Sequence, residues 1–187
     1  MNFRYSKIKL YAGVIFSFLI FLIPEFAFTA DKSIDSPELK ESVGLAEELR
    51  RREHDLIEIE IEILIFSESL RQKPDYQLLL SIVHAISELE LICHYEAEIL
   101  EYLDFIKDDI SKLAFLVIKR NKMSRISKLV RDNFHVKIIK EIKTRLKSEE
   151  AAQLAKKANE VALNSTKSLE RAIEFYNRSA SKSLKKY

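Results

Sequence analysis

The fold class depends on residues 56–63, which read Leu-Ile-Glu-Ile-Glu-Ile-Glu-Ile. Strict alternation of apolar and acidic residues is typical of a half-buried β-strand. We favour a helix, because the flanking sequence is helix-forming and no turn residues bound the run. Projected onto a helix, the apolar side chains form two stripes. One stripe contains Ile57, Ile61, Leu64 and Ile65, and the other contains Ile59, Ile63, Phe66 and Leu70. Two stripes predict a helix that touches two neighbours inside a bundle.

The first predicted helix spans residues 37–72 and contains the alternating run. Ser36 is a favoured N-cap residue, and Pro37 suits the first helical position. Glu38 places an acid in the first turn, where it favours the helix dipole. The helix should end before Pro74, because the residue that precedes a proline disfavours helical geometry.

A second helix is predicted from Tyr76 to about Lys119, with Asp75 as its cap. The break after it is placed at residues 120–122. Its apolar face contains Leu78, Ile82, Ile86, Leu89, Cys93, Leu100 and Leu103.

A third helix is predicted to follow, and Ser148 is expected to cap a fourth. With no Gly or Pro between them, these two helices could equally be one rod. The third should turn Met123, Ile126, Val130, Phe134, Ile138, Ile142 and Leu146 inward. The fourth is alanine-rich, with Ala151, Ala155, Ala158 and Ala162 allowing close helix approach.

Composition supports an all-α fold. The chain contains two Gly, three Pro and no Trp, so it offers few turns. Helix-forming Ala, Leu, Ile, Glu and Lys dominate it. We predict that residues 36–187 form an elongated three- or four-helix up-down bundle with coiled-coil-like hairpins.

The first thirty residues have the three-part plan of a secretory signal. Three basic residues precede an uncharged, almost wholly apolar stretch at residues 10–23, and Ala30 offers a cleavage site, although bulky Phe28 fits it poorly. We expect residues 1–30 to be a cleaved signal peptide and residues 31–35 a linker, which would make the protein periplasmic or extracellular. The alternatives are a membrane anchor formed by residues 10–23 and a buried cytosolic helix.

Charge divides the rest of the chain in two. Residues 31–110 contain 21 Asp and Glu against 8 Lys and Arg, a net charge of −13. Residues 111–187 contain 7 Asp and Glu against 20 Lys and Arg, a net charge of +13. Charge patterning on this scale influences which helices neighbour one another and which partners the protein attracts.

The bases concentrate in an amphipathic segment at residues 119–147. One interpretation is an exposed surface that binds an anionic membrane or an acidic protein. The other is internal, with the basic helix antiparallel to acidic helices of its own bundle. Nucleic acid is not expected as a partner, because an exported protein rarely meets it. The candidate binding residues are Lys119, Arg120, Lys122, Arg125, Lys128, Arg131, Lys137, Lys140, Lys143, Arg145 and Lys147.

The best candidates for metal ligands lie on the predicted second helix and are His84, Glu88, Glu90, His94 and Glu98. Glu90, His94 and Glu98 are spaced by four residues and share one face. The Glu-x-x-His pattern of di-iron bundles is absent, however. This face also lies largely opposite the Leu/Ile face. We therefore expect a solvated acidic surface and neither a metal nor another cofactor.

Cys93, the single cysteine, projects into the middle of the second helix's apolar face. It is expected to be a buried, inert thiol, with an intermolecular disulfide as the alternative. With Gly13 and Gly44 as the only glycines, neither a glycine-rich phosphate loop nor a serine nucleophile elbow can form.

Taken together, these patterns predict a non-enzymatic exported protein that binds another macromolecule or itself, as an adaptor or an envelope structural module. One alternative is a membrane-tethered sensor or lipid-associated domain. The other is a metal-binding helical enzyme.

Overall fold

The computed structural model describes residues 37–106, 109–122 and 124–184, and this part of the chain contains helices and no β-strand. The all-helical prediction is confirmed for it, including the alternating run. The predicted signal and linker lie outside the described residues. The described helices are α1 (Pro37–Glu68), α2 (Asp75–Phe105), α3 (Asp109–Lys122), α4 (Ser124–Arg131), α5 (Phe134–Lys143) and α6 (Glu149–Leu184).

Helix α1 buries one of its two predicted apolar stripes. Ile59 and Ile63 are fully buried, whereas Ile61 is 51% exposed and Ile65 is 70% exposed. The stripe with Ile61 and Ile65 therefore faces largely outward. The predicted contact with two neighbours is confirmed, because α1 contacts both α2 and α6, which also contact each other.

Helix α1 runs antiparallel to both of these neighbours. Glu53 of α1 lies 2.8 Å from His94 of α2. Two turns further along α1, Glu60 accepts a hydrogen bond from Ser87, which lies two turns before His94 on α2. The start of α1 pairs with the end of α6, through Glu38 and Lys182. The core lies between these helices and includes Leu49, Leu56, Ile82, Ile86, Leu89, Leu100 and Leu169.

The predicted alanine stripe of α6 faces this core. Ala151, Ala155, Ala158 and Ala162 are all fully buried. Because their side chains are single methyl groups, the backbone of α6 can lie close to the helices around it.

The predicted continuous helix from Tyr76 to Lys119 is wrong, because α2 ends at Phe105 and Ile106 is extended, with φ −81° and ψ 109°. On a continuous helix Glu96 and Lys119 would be roughly 35 Å apart, at 1.5 Å per residue. Their side chains instead meet, with 2.6 Å between Oε1 and Nζ. The chain therefore reverses between α2 and α3, which lets α3 pack against α6.

The predicted third helix is also interrupted. Asn133 adopts the left-handed region at φ 50°, which Asn tolerates better than most residues, and it separates α4 from α5. This changes which side of the helix faces inward. Phe134, predicted to be buried, is 42% exposed, whereas His135 and Ile139 are buried. A turn after Lys143 then separates α5 from α6, so there is no single rod.

Asp75 does not cap α2 as predicted. It lies in the first turn of α2 and is buried, and its side chain makes no capping hydrogen bond there. Its carboxylate instead accepts hydrogen bonds from the backbone N–H groups of Lys147 (3.0 and 3.1 Å) and Ser148 (2.7 Å). Ser148 caps α6 as predicted, because its Oγ accepts a hydrogen bond from the N–H of Ala151. Asp75 therefore ties the start of α2 to the start of α6.

Replacing Asp75 with alanine should lower the free energy of unfolding by about 2–3 kcal/mol, because a hydrogen bond to a charged group contributes about 1.5–3 kcal/mol. Asp75→Asn keeps one acceptor oxygen and should lose less. The matched control is Asp132→Ala at an exposed turn position, which should change stability by less than about 0.5 kcal/mol. Urea denaturation of the three variants measures this. Equal losses for Asp75→Ala and Asp132→Ala would contradict the assignment.

Candidate binding surface

Seven basic side chains project from α4, α5 and the turn that leads to α6. Lys143 is half-buried and the others are exposed. The opposite side of the same helices is apolar and packed, with Val130, Ile139 and Ile142 buried. This amphipathic arrangement holds the bases outward on a packed scaffold. We call Lys128, Arg131, Lys137, Lys140, Lys143, Arg145 and Lys147 the basic surface.

Within the described part of the chain, no side chain of the basic surface forms an ion pair with an acid. The only acidic residues between positions 124 and 147 are Asp132 and Glu141. The positive charge of this surface is therefore not neutralised by its own helices.

The remaining candidate binding residues are placed differently. Lys119 points inward, and its side chain is only 12% exposed. The side chains of Arg120, Lys122 and Arg125 lie outside the described part of the structure.

Four bases on α6, in contrast, pair with acids of α1. Lys182 lies 3.3 Å from Glu38, and Arg178 pairs with Glu41. The same pattern continues along both helices, with further ion pairs Arg171–Glu48 and Lys157–Glu62. Glu48 is buried, but the other three pairs are exposed, and exposed pairs contribute only about 0–1 kcal/mol each. They nevertheless match the two oppositely charged halves of the chain, whereas none of the seven bases of the basic surface has such a pair among the described residues.

Lys119 belongs to a buried polar cluster where α2, α3 and α6 meet. Its Nζ donates a hydrogen bond to Glu96 Oε1 at 2.6 Å and lies 5.7 Å from the centre of the Tyr176 ring. Burial raises the pKa of Glu96, and Lys119 partly offsets that rise. Burial and the charge of Glu96 likewise raise the pKa of Tyr176. A hydrogen bond with the Tyr176 hydroxyl also helps to lower the pKa of Glu96, so Glu96, Lys119 and Tyr176 form one buried network.

Two of the predicted metal-ligand candidates lie beside His135. His84 Nε2 is 3.4 Å from one oxygen of Glu88, and His135 Nε2 is 3.4 Å from the other. Burial lowers the pKa of His135, although Glu88 partly offsets that effect. The sequence did not single out His135, because its burial depends on the change of helix face at Asn133.

His94 lies in a separate ionic cluster between α1 and α2. Its Nδ1 is 2.8 Å from Glu53 and its Nε2 is 3.2 Å from Glu98. Arg50 pairs with both Glu53 and Glu101. Burial raises the pKa of Glu53, but hydrogen bonds from His94 and Arg50 outweigh burial and hold that pKa below its usual value.

Four of the predicted metal-ligand candidates therefore lie in two separate clusters, His84 and Glu88 in one and His94 and Glu98 in the other. The fifth, Glu90, is half-buried on the same helix. Across residues 37–106, 109–122 and 124–184, no group of three or more His, Cys, Asp or Glu side chains is placed to hold a metal ion.

Cys93 is fully buried in the core, as its position on the apolar face of α2 predicts. Burial, reinforced by the nearby charges of Glu53 and Glu96, raises the pKa of its thiol to about 12. The thiol is therefore protonated at neutral pH, and a protonated thiol is a poor nucleophile.

Helix α2 is long and apolar enough to cross a membrane, judged by length and composition over Asp75–Leu103. The same helix supplies much of the core, with Ile82, Ile86 and Leu100 fully buried. Core helices of soluble proteins have this composition too, so composition does not separate the two settings.

No protein-family model, curated protein or solved structure matches this chain.

Proposed function

We propose that the protein is an exported, non-enzymatic helical module that binds an anionic macromolecule through the basic surface. In this proposal α1, α2 and α6 form an up-down bundle that presents α4 and α5. The observation that carries the proposal is the charge difference between two sets of bases. Four of the six bases on α6 pair with acids of α1, whereas none of the seven of the basic surface has an acidic partner among the described residues.

The placement of these bases favours binding of an extended partner rather than of a small ion. They span two helices and the turn before α6, with buried Val130, Ile139 and Ile142 packed beneath them. Because the backbone is held in place, an anionic partner can contact several bases without ordering a flexible loop first. Preorganisation of this kind reduces the entropic cost of binding. Electrostatic contacts of this type weaken as salt is added, because exposed charges are screened.

The proposal predicts that the purified chain binds poly-glutamate and that raising the salt concentration weakens this binding. Charge reversal by Lys137→Glu with Lys140→Glu should weaken it at least tenfold, because each base near an anionic surface contributes about 1 kcal/mol. The matched control is Lys156→Glu with Lys167→Glu, two exposed positions on α6. Fluorescence anisotropy with labelled poly-glutamate measures the dissociation constants. Equal affinities for the two double variants would overturn the proposal.

A second candidate function, binding to an anionic lipid surface, is favoured by one observation. Phe134 is exposed on α5 and lies one helical turn from Lys137. Aromatic residues next to bases are typical of helices that lie at a membrane interface. Flotation with vesicles of neutral lipid alone, and with vesicles that also contain anionic lipid, tests this candidate. Equal recovery with both vesicle types would exclude it.

A further inference from the structure

An open apolar groove of about 590 Å³ lies between α1 and α6. Its apolar lining comes from Ile65, Phe66 and Leu154, and Ile65 is the most exposed large apolar side chain of the described chain. Exposed Ile61 lies one turn before Ile65 on α1 and extends the apolar strip along that helix. The groove has room for one large apolar side chain of a partner.

The polar lining of the groove is acidic overall. It includes Glu62, Glu150 and Lys157, and Lys157 already pairs with Glu62. Exposed Glu58 precedes Ile61 on α1 and adds a further acid beside the strip. A partner suited to this groove therefore presents an apolar side chain together with positive charge.

The same chain carries such a feature at the start of α5. Phe134 is 42% exposed, and among the described rings only His135 lies against it, edge-on at 5.4 Å. Lys137 follows one turn later on the same side of the helix, and Lys140 one turn after that. The result is an exposed aromatic ring next to the basic surface.

We infer that a second copy of this chain is the partner, with Phe134 of one copy seated in the groove of the other. The inference rests on the proposed function, in which the basic surface binds an anionic macromolecule. That macromolecule is a second copy of this chain. Phe134 is exposed on α5, whereas the groove is formed by α1 and α6, so a chain does not fill its own groove. A second copy matches both properties at once, with the apolar ring facing the apolar groove and the basic surface facing Glu58 and Glu150 beside it. A lipid surface would use Phe134 and the bases but would leave the groove uncovered.

This contact joins two different surfaces. Each copy offers one groove and one Phe134, so assembly continues into a ring or an open chain rather than stopping at a symmetric dimer. The contact is small, and interfaces below about 1,000 Å² are typical of weak, transient association. Self-association should therefore increase with protein concentration and decrease with added salt.

Disulfide trapping between two full-length variants tests the inference. One variant carries Ile65→Cys and the other Phe134→Cys, and they are mixed and oxidised with copper phenanthroline. Native Cys93 can remain, because it is buried. A disulfide needs Cα atoms within about 7 Å, so trapping reports close approach. The matched control replaces Ile65→Cys with Ile118→Cys, at an isoleucine of similar exposure on α3.

The expected result is at least fivefold more cross-linked dimer from the Ile65→Cys mixture than from the Ile118→Cys mixture. Adding Lys137→Glu and Lys140→Glu to the Phe134→Cys chain should remove that excess. Equal cross-linking in the two mixtures would overturn the inference. If poly-glutamate binding still depends on the basic surface in that case, the proposed function stands and self-docking alone fails. Equal cross-linking together with capture by anionic vesicles would assign the surface to lipid instead.

Discussion

Replacing Lys119 with methionine is expected to lower the free energy of unfolding by about 3–5 kcal/mol, because removing one partner of a buried ion pair leaves the other charge uncompensated. Glu96 is the charge that would be left. It is almost fully buried, and its Oε1 accepts the hydrogen bond from Lys119. The neutral Tyr176 hydroxyl also interacts with it but cannot balance its charge. Methionine keeps a chain of similar length, so the loss reports the charge rather than a cavity.

The loss should shrink as the pH is lowered. Burial already raises the folded-state pKa of Glu96, and loss of Lys119 removes an interaction that holds that pKa down. A folded state with the higher pKa binds more protons than the unfolded chain at pH values above about 4.5, so its stability rises as the pH falls towards that value. Urea denaturation of Lys119→Met and of the parent at pH 8 and pH 5.5 measures the difference.

The double variant Glu96→Leu with Lys119→Met separates charge from packing. Apolar replacement of both members of a buried pair is often neutral or stabilising, by about 1–4 kcal/mol. The double variant should therefore be at least as stable as the parent, although each single variant is destabilised. Lys156→Met, at an exposed position of α6, is the control and should be near neutral. If Lys119→Met behaves like Lys156→Met, the buried pair does not hold α3 against α2.

Replacing Ile59 with alanine should cost about 2–5 kcal/mol, whereas Ile61→Ala should stay within about 0.5 kcal/mol of the parent. The two residues belong to the same alternating run, but Ile59 is buried and Ile61 is half-exposed. Both would point to the same side of a β-strand, and their substitutions would then have similar costs. The difference therefore tests the helix itself as well as the packing.

Urea denaturation followed by far-UV circular dichroism measures both isoleucine variants. A second pair, Ile63→Ala and Ile65→Ala, repeats the comparison one turn later, at a fully buried and a strongly exposed position. Equal losses within each pair would show that α1 is not packed as described.

Several parts of the fold could be predicted from local patterns. Helix α1 contains the alternating run as predicted, and Ser148 caps α6. The apolar face of α2 is buried as its spacing predicts, from Ile82 to Leu103. These features depend on residues within a few turns of one another, so helical periodicity and capping preferences are sufficient to find them.

The candidate site could be predicted only in part. Lys128, Lys137 and Lys140 are exposed, as the external interpretation of the basic segment expects. Lys119 belongs to the same run of bases, yet it is buried beside Glu96. The groove that contains Ile65 could not be predicted at all, because residues from α6 complete it.

Local sequence was enough to determine that the described chain is helical and that its charge is divided between two halves. Contacts between distant segments determined where the helices break and which side faces inward. Ile106 is extended without a nearby Gly or Pro, and Asn133 turns Phe134 outward and His135 inward. The carboxylate of Asp75 accepts hydrogen bonds from backbone N–H groups more than seventy residues away in the sequence. The physical reason is that helix formation depends on residues within a few turns of one another. Burial of a side chain depends on which helices, distant in the sequence, pack against it.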